Sequence, residues 1–216
     1  MSGHAGIGSG GVRQYRWRMA TIASVENVDL VTEIITRAFA ADPVWGVALT
    51  RPDGGTDHRA AYWRPYVEGA LRFSSVYLSD EGSAVAVWLP PGEDEMTTEQ
   101  EARVRAVVEG NLPTSSQAAM FDLWDRFAAA QPQHPPHAYL SLLATHPDSS
   151  GRGVGQQLLR ENLQQFDAQG LPTYLESTNP ANNHRYERAG YVALGRFEST
   201  FDGAPITTMW RRAGGT

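Results

Sequence analysis

The segment AYLSLLATHPDSSGRGVGQQLL, residues 138–159, decides the fold. Its first eight residues, Ala138–Thr145, are a nearly continuous apolar run of strand length, which predicts a strand buried on both faces. From residue 152 to residue 169 the apolar positions fall on one helical stripe, which predicts an amphipathic helix. A glycine-rich turn at residues 146–155 connects the two, so the segment predicts a buried strand that leads directly into a helix.

The turn contains three glycines, Gly151, Gly153 and Gly155, whose backbone N–H groups can point toward one place without obstruction by side chains. That place lies at a helix N-terminus, where unpaired donors and the helix dipole favour an anion. Arg152 adds a formal positive charge. The turn therefore favours a phosphorylated ligand, although an ordinary tight connection has the same composition. The dinucleotide pattern G-x-G-x-x-G is absent.

Working outward, the chain alternates strand-like and helix-like segments, which predicts a mixed α/β sheet with helices packed on it. Two strand-like runs flank Asp80–Gly82 and predict a hairpin. Residues 97–130 predict two helices divided at 111–113, with Thr98 and Glu101 as a capping box for the first. We expect residues 1–18 to be a disordered tail and residues 19–216 to form a single domain.

The composition of the 216-residue chain excludes several classes of site. The chain has no Cys and all 18 of its basic residues are Arg, so disulfides, thiol nucleophiles, Schiff-base chemistry and a Walker phosphate loop are excluded. The net charge of -6 argues against nucleic-acid binding. The apolar runs are too short to cross a membrane, and we expect a cytoplasmic protein.

Two motifs carry a resemblance to a known family. The run LATHPDSSGRGVGQQLL resembles the acyl-CoA-binding motif Q/R-x-x-G-x-G/A of the GNAT superfamily of N-acyltransferases, with Gly153 and Gly155 at its glycines and Ser150 in place of Gln or Arg. The later run YLESTNPANNHRYERAGY, residues 174–191, resembles the superfamily's second motif. Among its members, the chain most resembles the antibiotic-acetylating branch typified by puromycin N-acetyltransferase.

The resemblance implies a mixed, mostly antiparallel central sheet of about six to seven strands, splayed in the middle and flanked by helices. It places the acyl-CoA-binding core at about residues 137–191 and makes acetyl-CoA the co-substrate. The residues implied to bind it are Leu143, Ala144, Thr145, Ser150, Gly151, Arg152, Gly153, Val154, Gly155, Gln156, Asn179 and Asn182. Backbone groups of Leu143 and Thr145 would meet the pantetheine arm and the thioester, unless they only pair within the sheet.

The resemblance also implies two catalytic residues. Tyr186 matches the Tyr that acts as general acid toward the departing sulfur in many relatives, and otherwise would be a packing residue. Glu176 ends a predicted strand and would accept the proton of an ammonium substrate, or alternatively would orient that substrate or pair with an Arg. The acidic run Glu93–Glu95 is typical of solvated surface, although it could attract a cationic amine if it lay near the cleft.

Two tryptophans, Trp45 and Trp88, stand at predicted element ends and would line an acceptor pocket, with core packing as the alternative. His134 and His137 lack the spacing of a zinc site, so no metal is expected. The sequence thus predicts direct acetyl transfer to an amine of a small molecule by a monomer or homodimer. The alternatives are an acyl-CoA-binding regulatory domain without catalysis and a protein N-acetyltransferase.

Overall fold

The structure, a computed structural model, describes residues 20–214, and the predicted N-terminal tail lies outside them. Within this part of the chain, seven strands form one sheet in the order β1-β2-β3-β4-β5-β7-β6. The strands are β1 Thr21–Ile22, β2 Val76–Leu78, β3 Ala84–Leu89, β4 Ala138–Thr145, β5 Thr173–Ser177, β6 Val192–Glu198 and β7 Pro205–Arg211. The α-helices are α1 Val28–Ala38, α2 Trp45–Ala48, α3 Arg59–Ala70, α4 Thr98–Asn111, α5 Thr114–Ala130, α6 Val154–Ala168 and α7 Asn183–Arg188.

The sheet is splayed between β4 and β5. These two strands are parallel and pair only at Ala138 with Thr173 and at Tyr139 with Tyr174, whereas all the other neighbouring strands are antiparallel. Beyond Tyr139 the strands diverge and leave a gap in the middle of the sheet. The predicted fold class, a mostly antiparallel sheet splayed in the middle and flanked by helices, is confirmed.

A bulge at Ser141 interrupts β4. Val87 of β3 lies opposite Leu142, and the next residue, Trp88, lies opposite Leu140, so Ser141 is an extra residue in β4. The bulge moves the buried side chains of β4 to the other face of the sheet: Leu140 packs on one side and Leu142 on the other.

β4 packs against a core on each face of the sheet, as predicted, but not every one of its residues is fully buried. Its residues alternate between buried and partly exposed, and the partly exposed ones include Tyr139, Ser141 and Thr145. The sequence of β4 is almost continuously apolar because its partly exposed side chains line a cavity inside the molecule.

The sheet separates two hydrophobic cores. Helices α1 to α5 cover one face, with the large side chains of Ile34, Tyr62 and Trp63 completely buried against it. Helix α6 covers the other face through Leu159 and Phe166. Helices α1 and α6 each bury one apolar stripe against the sheet, as the periodicity of the sequence predicts.

The predicted division of residues 97–130 into α4 and α5 is confirmed, but the capping box lies one residue earlier. Thr97 is the N-cap of α4, and its hydroxyl accepts a hydrogen bond from the Gln100 amide while the Gln100 side chain accepts one from the Thr97 amide. Thr98 and Glu101 match the same pattern in sequence, but Thr98 already has helical geometry.

Candidate active site

A cavity of about 1120 Å³ opens at the gap between β4 and β5. One end is formed by the glycine-rich turn before α6, and the other by aromatic and acidic side chains from α2 to α5. The cavity therefore runs through the sheet at the place where the backbone ladder is missing.

The glycine-rich turn presents backbone donors to this cavity. Gly151 and Gly153 have φ values of 76° and 78°, in the left-handed region where a side chain adds strain. Gln157 donates the first bond into the turn, to the Gly153 carbonyl at 2.9 Å, so the amides of residues 154–156 precede the helical ladder and have no partner within it. An anion fits at this helix N-terminus.

Gly155 is needed for close packing, and its backbone φ angle is not in the left-handed region. A Cβ on Gly155 would lie 2.5 Å from Oγ1 of Thr145, so only glycine lets α6 approach the end of β4 so closely. This contact fixes the turn beside the strand that lines the cavity.

The free edge of β4 faces the gap. The His146 amide donates to the Ser83 carbonyl at 2.8 Å, which makes these opposed residues a hydrogen-bonded pair. Because such pairs alternate along an antiparallel ladder, the backbone groups of Leu143 and Thr145 point away from β3, toward the gap. They are available to a ligand that lies along the splayed strand.

Glu176, next to last in β5, lines the same cavity. Its Oε1 atom is buried and has no hydrogen-bond partner. Burial raises the pKa of the carboxyl group to about 7, and the charge of Glu95 adds to that effect, while the hydroxyls of Tyr139 and Tyr174 oppose it. A carboxyl group with this pKa can both accept and release a proton near neutral pH.

Glu95 also lines the cavity, so the interpretation of Glu93–Glu95 as solvated surface is wrong for its last residue. Its Oε1 accepts a hydrogen bond from the Ser141 hydroxyl at the β4 bulge. Burial raises the pKa of Glu95 to about 7, and the Ser141 bond partly offsets this. No sequence motif marks Glu95, because its position depends on how the loop before α4 folds back over the sheet.

Asp42 is a third carboxyl group at the cavity. Its Oδ1 accepts hydrogen bonds from the amides of Val44 (2.9 Å) and Trp45 (3.1 Å), and its Oδ2 accepts one from the Thr178 hydroxyl (2.7 Å). These bonds join the start of α2 to the loop after β5. Asp42 therefore holds two walls of the cavity together.

Tyr186, on α7, lies at the cavity and packs its ring against Tyr191, with 6.1 Å between the ring centroids. Burial, and secondarily the charge of Asp42, raises the pKa of the Tyr186 phenol to about 12. The phenol is therefore protonated throughout the neutral range and can donate a proton or a hydrogen bond.

Of the two predicted tryptophans, the structure places only Trp45 at the cavity. Trp45 stacks on Phe127, with ring centroids 5.8 Å apart and an angle of 11° between the planes. Trp88 is fully buried on the opposite face of the sheet, where its Nε1–H donates to Oδ1 of Asn162 at 2.9 Å. Its assignment to the acceptor pocket is wrong.

The other predicted cofactor-binding residues border the cavity, except Arg152, which is exposed and outside its lining. The side-chain oxygens of Asn179 and Asn182 accept local hydrogen bonds, from the Ala181 amide and from the Arg185 guanidinium respectively, each at 3.0 Å. These two residues shape the turn between β5 and α7.

Comparisons with known proteins agree with this arrangement. Residues 117–191, from α5 through the glycine-rich turn to Tyr191, match the model of the Acetyltransferase (GNAT) family. The match covers about a third of the chain, and over that segment the chain is similar to GNAT acetyltransferases. The family uses acetyl-CoA as its acyl donor.

Solved structures of acetyltransferases share the fold. A Corynebacterium glutamicum protein described as a histone acetyltransferase HPA2 and related acetyltransferase is 24% identical, with a TM-score of 0.58 over 92% of this chain and 97% of the other. Arylalkylamine N-acetyltransferase 2 of Aedes aegypti is 14% identical, with a TM-score of 0.63 over 90% and 98%. The polyamine N-acetyltransferase of Drosophila melanogaster is 15% identical, with a TM-score of 0.63 over 90% and 99%.

Two other findings concern residues 20–214 of the chain. No helix there is long and apolar enough to cross a membrane. No group of three or more His, Asp or Glu side chains in that part of the chain is arranged to hold a metal ion.

Proposed function

We propose that this protein transfers an acetyl group from acetyl-CoA directly to an amine of a small molecule. One observation carries the proposal: a single cavity joins the phosphate-compatible turn of α6 to a pocket that contains Glu176 and Tyr186. An acyl donor and an amine acceptor bound at the two ends would meet at the gap between β4 and β5.

The residues at the first end fit acetyl-CoA. The unpaired amides of residues 154–156 suit its pyrophosphate, and the free backbone edge at Leu143 and Thr145 suits the amide groups of its pantetheine arm. Gly151, Gly153 and Gly155 keep side chains away from the approaching ligand. When bound, acetyl-CoA supplies an acetyl group activated as a thioester.

Glu176 acts as the general base and Tyr186 as the general acid. The Glu176 carboxylate accepts a proton from the substrate ammonium, which frees the nitrogen lone pair for attack on the acetyl carbon. A backbone amide at the edge of β4 stabilises the charge that develops on the carbonyl oxygen. The Tyr186 phenol donates a proton to the departing sulfur and regains one from the acylated nitrogen, so the products are an amide and a free thiol.

The acceptor end of the cavity favours a small molecule over a protein substrate. Helices α4 and α5 border it through Val104, Arg105 and Trp124, and Trp45 adds an aromatic wall. An amine with an apolar or aromatic body suits such walls. Amines of antibiotics or other secondary metabolites are the acceptors that the resemblance to the puromycin-acetylating branch implies.

The proposal extends to the organisation of the chain. Residues 19–216 form one domain, which the sheet supports because its strands come from both halves of the chain. The protein acts as a monomer or homodimer in the cytoplasm, where acetyl-CoA is available. The absence of Cys from the chain excludes a cysteinyl acyl-enzyme and favours direct attack.

Release of free CoA thiol from acetyl-CoA, measured with a panel of small amines and with short peptides, tests the proposal. We expect release with small amines and little with peptides. CoA binding by calorimetry without thiol release from any acceptor would favour the regulatory-domain alternative, and release only with peptides would favour a protein N-acetyltransferase.

A further inference from the structure

Several contacts hold the loop that carries Glu95 in place. Arg72 donates from Nη2 to the Asp94 carbonyl at 2.8 Å, and from Nε to the Gly69 carbonyl at 2.8 Å. A Cβ on Gly69 would overlap the carbonyl oxygen of Glu95, so α3 and the loop are packed backbone against backbone. The Glu95 side chain is consequently directed into the cavity by a fixed backbone and by its bond from Ser141.

Glu95 and Glu176 line the same cavity, Glu95 from the loop before α4 and Glu176 from β5. Each charge disfavours the other's, as the effect of Glu95 on the pKa of Glu176 shows. Tyr139, on the splayed strand β4, also lines the cavity, and its pKa is raised first by burial and then by the charges of both carboxyl groups.

No basic side chain of residues 20–214 neutralises this pair. In that part of the chain, no Arg or His nitrogen lies within 4.0 Å of either carboxylate. Two arginines do border the cavity, but Arg105 lies over the Phe121 ring, 4.1 Å from its centroid, and Arg185 donates to Asn182. A buried carboxylate without a positive partner is costly, so the site is built to receive a cation.

We propose that Glu95 is a specificity-determining residue that binds the substrate ammonium together with Glu176 and so selects cationic amines over neutral molecules of the same shape. This inference rests on the proposed function, because it assigns a second carboxyl group to the same acceptor site. The unpartnered Oε1 of Glu176 and the inward side chain of Glu95 offer charge-assisted hydrogen bonds to one ammonium group. The aromatic walls hold the body of the amine.

The pairing also affects the pH dependence. Other titratable or charged groups that line the cavity come from several elements: Asp42, Tyr66, Asp94, Glu101, Arg105, Tyr139, Arg185 and Tyr186. Outside the lining, the charge of Glu95 acts on the Tyr62 phenol and that of Glu176 on the Tyr174 phenol. Of these, the phenols stay protonated near neutral pH, since burial raises their pKa values. The charge of Glu95 raises the pKa of Glu176, so removal of that charge lowers it.

The experiment compares Glu95→Gln with Glu93→Gln, a matched loss of one charge at an exposed position two residues away that does not line the cavity. Binding of 2-phenylethylamine and of the neutral 2-phenylethanol to the CoA-loaded proteins is measured by calorimetry. We expect Glu95→Gln to weaken binding of the amine about 10- to 100-fold, the value of a lost charge-assisted hydrogen bond, and to leave binding of the alcohol unchanged. Glu93→Gln changes neither.

The acidic limb of kcat/KM for acetylation gives a second readout, one that a purely structural role of Glu95 would not move. In Glu95→Gln this limb shifts to lower pH, because the pKa of Glu176 falls. Melting temperatures verify folding, since Gln keeps an oxygen that can accept the Ser141 bond.

Equal losses for the amine and the alcohol, or no loss for either, would overturn the role of Glu95. A wild-type protein that binds the alcohol as tightly as the amine would overturn it too. Failure of the proposed function is distinguishable: wild-type protein would then release no thiol with any amine, while the binding comparison still decides whether Glu95 selects the ammonium.

Discussion

At the residue scale, Glu176 combines two properties that a base for an ammonium substrate needs. It borders the cavity, and its buried Oε1 has no partner to compete with the substrate. Its pKa of about 7 means that the carboxylate form becomes available as the pH rises through neutrality. The same carboxyl group would be a weaker base at the surface, where its pKa is lower.

We expect Glu176→Gln to reduce kcat/KM about 10²- to 10⁴-fold at pH 8 and to abolish the rise in rate between pH 6 and pH 8, because Gln cannot accept the proton. Glu198→Gln, a matched change on the exposed side of β6, is the control. Initial rates of thiol release over this pH range provide the measurement. A variant whose pH profile ran parallel to the wild type would remove Glu176 as the base.

Tyr186→Phe should lower kcat about 10²-fold or more, because the phenol no longer donates to the departing sulfur, while the KM for acetyl-CoA changes little. The ring contact with Tyr191 is retained, so the melting temperature should stay close to that of the wild type. Tyr77→Phe, in β2 and away from the cavity, is the matched control. An unchanged kcat would assign Tyr186 to packing.

Sequence motifs singled out Glu176 and Tyr186, and both side chains line the cavity, but no motif marked Glu95. Motif residues are close in sequence to the strand ends that position them, whereas Glu95 depends on contacts of its loop with Gly69 and Ser141. Trp88 was misplaced for a different reason. Successive strand residues point to opposite faces, so its position at the end of a strand does not reveal which face it occupies.

At the scale of elements, the N-terminus of α6 depends on left-handed glycines. Gly153 is its N-cap, with a φ of 78°, and Gly170, just beyond its C-terminus, has a similar φ of 66°. Both have open space where a Cβ would lie. A side chain at either position would therefore cause the same backbone strain, at opposite ends of one helix.

Gly153→Asp and Gly170→Asp are consequently a matched pair. We expect each to destabilise the fold by about 1–2 kcal/mol, the cost of a side chain in the left-handed region. Only Gly153→Asp should also weaken CoA binding, because it places a carboxylate where the pyrophosphate would lie. Chemical denaturation and calorimetry measure the two effects, and equal CoA affinity in both variants would contradict the assignment of the turn.

Element prediction from the sequence worked where local signals were strong. The break between α4 and α5 follows from the Pro at 113, which stops one helix and starts the next. The bulge at Ser141 has no local signal, because it reflects how β3 and β4 must pair on a twisted sheet. That one extra residue helps to turn a side chain of β4 toward Glu95.

At the scale of the whole molecule, the two raised carboxyl pKa values link stability to pH. Glu95 and Glu176 have pKa values of about 7 in the folded protein, above the ordinary value of 4.5. Between these values the folded state binds more protons than the unfolded state, so the free energy of unfolding falls as the pH rises. The acceptor site thus costs stability at neutral pH.

We expect the free energy of unfolding to decrease from pH 5 to pH 7 by up to about 1.4 kcal/mol per pH unit for each group, and the double variant Glu95→Gln with Glu176→Gln to flatten this dependence. Urea denaturation at several pH values measures it. Identical slopes in the wild type and the double variant would show that the two groups titrate normally.

The short pairing of β4 and β5 affects the tendency of the protein to aggregate. Inside a sheet, the backbone N–H and C=O groups of a strand normally pair with the strands on both sides. Here the groups of Leu143 and Thr145 that face β5 have no neighbouring strand to pair with. Unpaired edges are templates for association with other chains. Bound acetyl-CoA would cover this edge as a neighbouring strand does, and so would protect the protein from aggregation as well as supply its acetyl group.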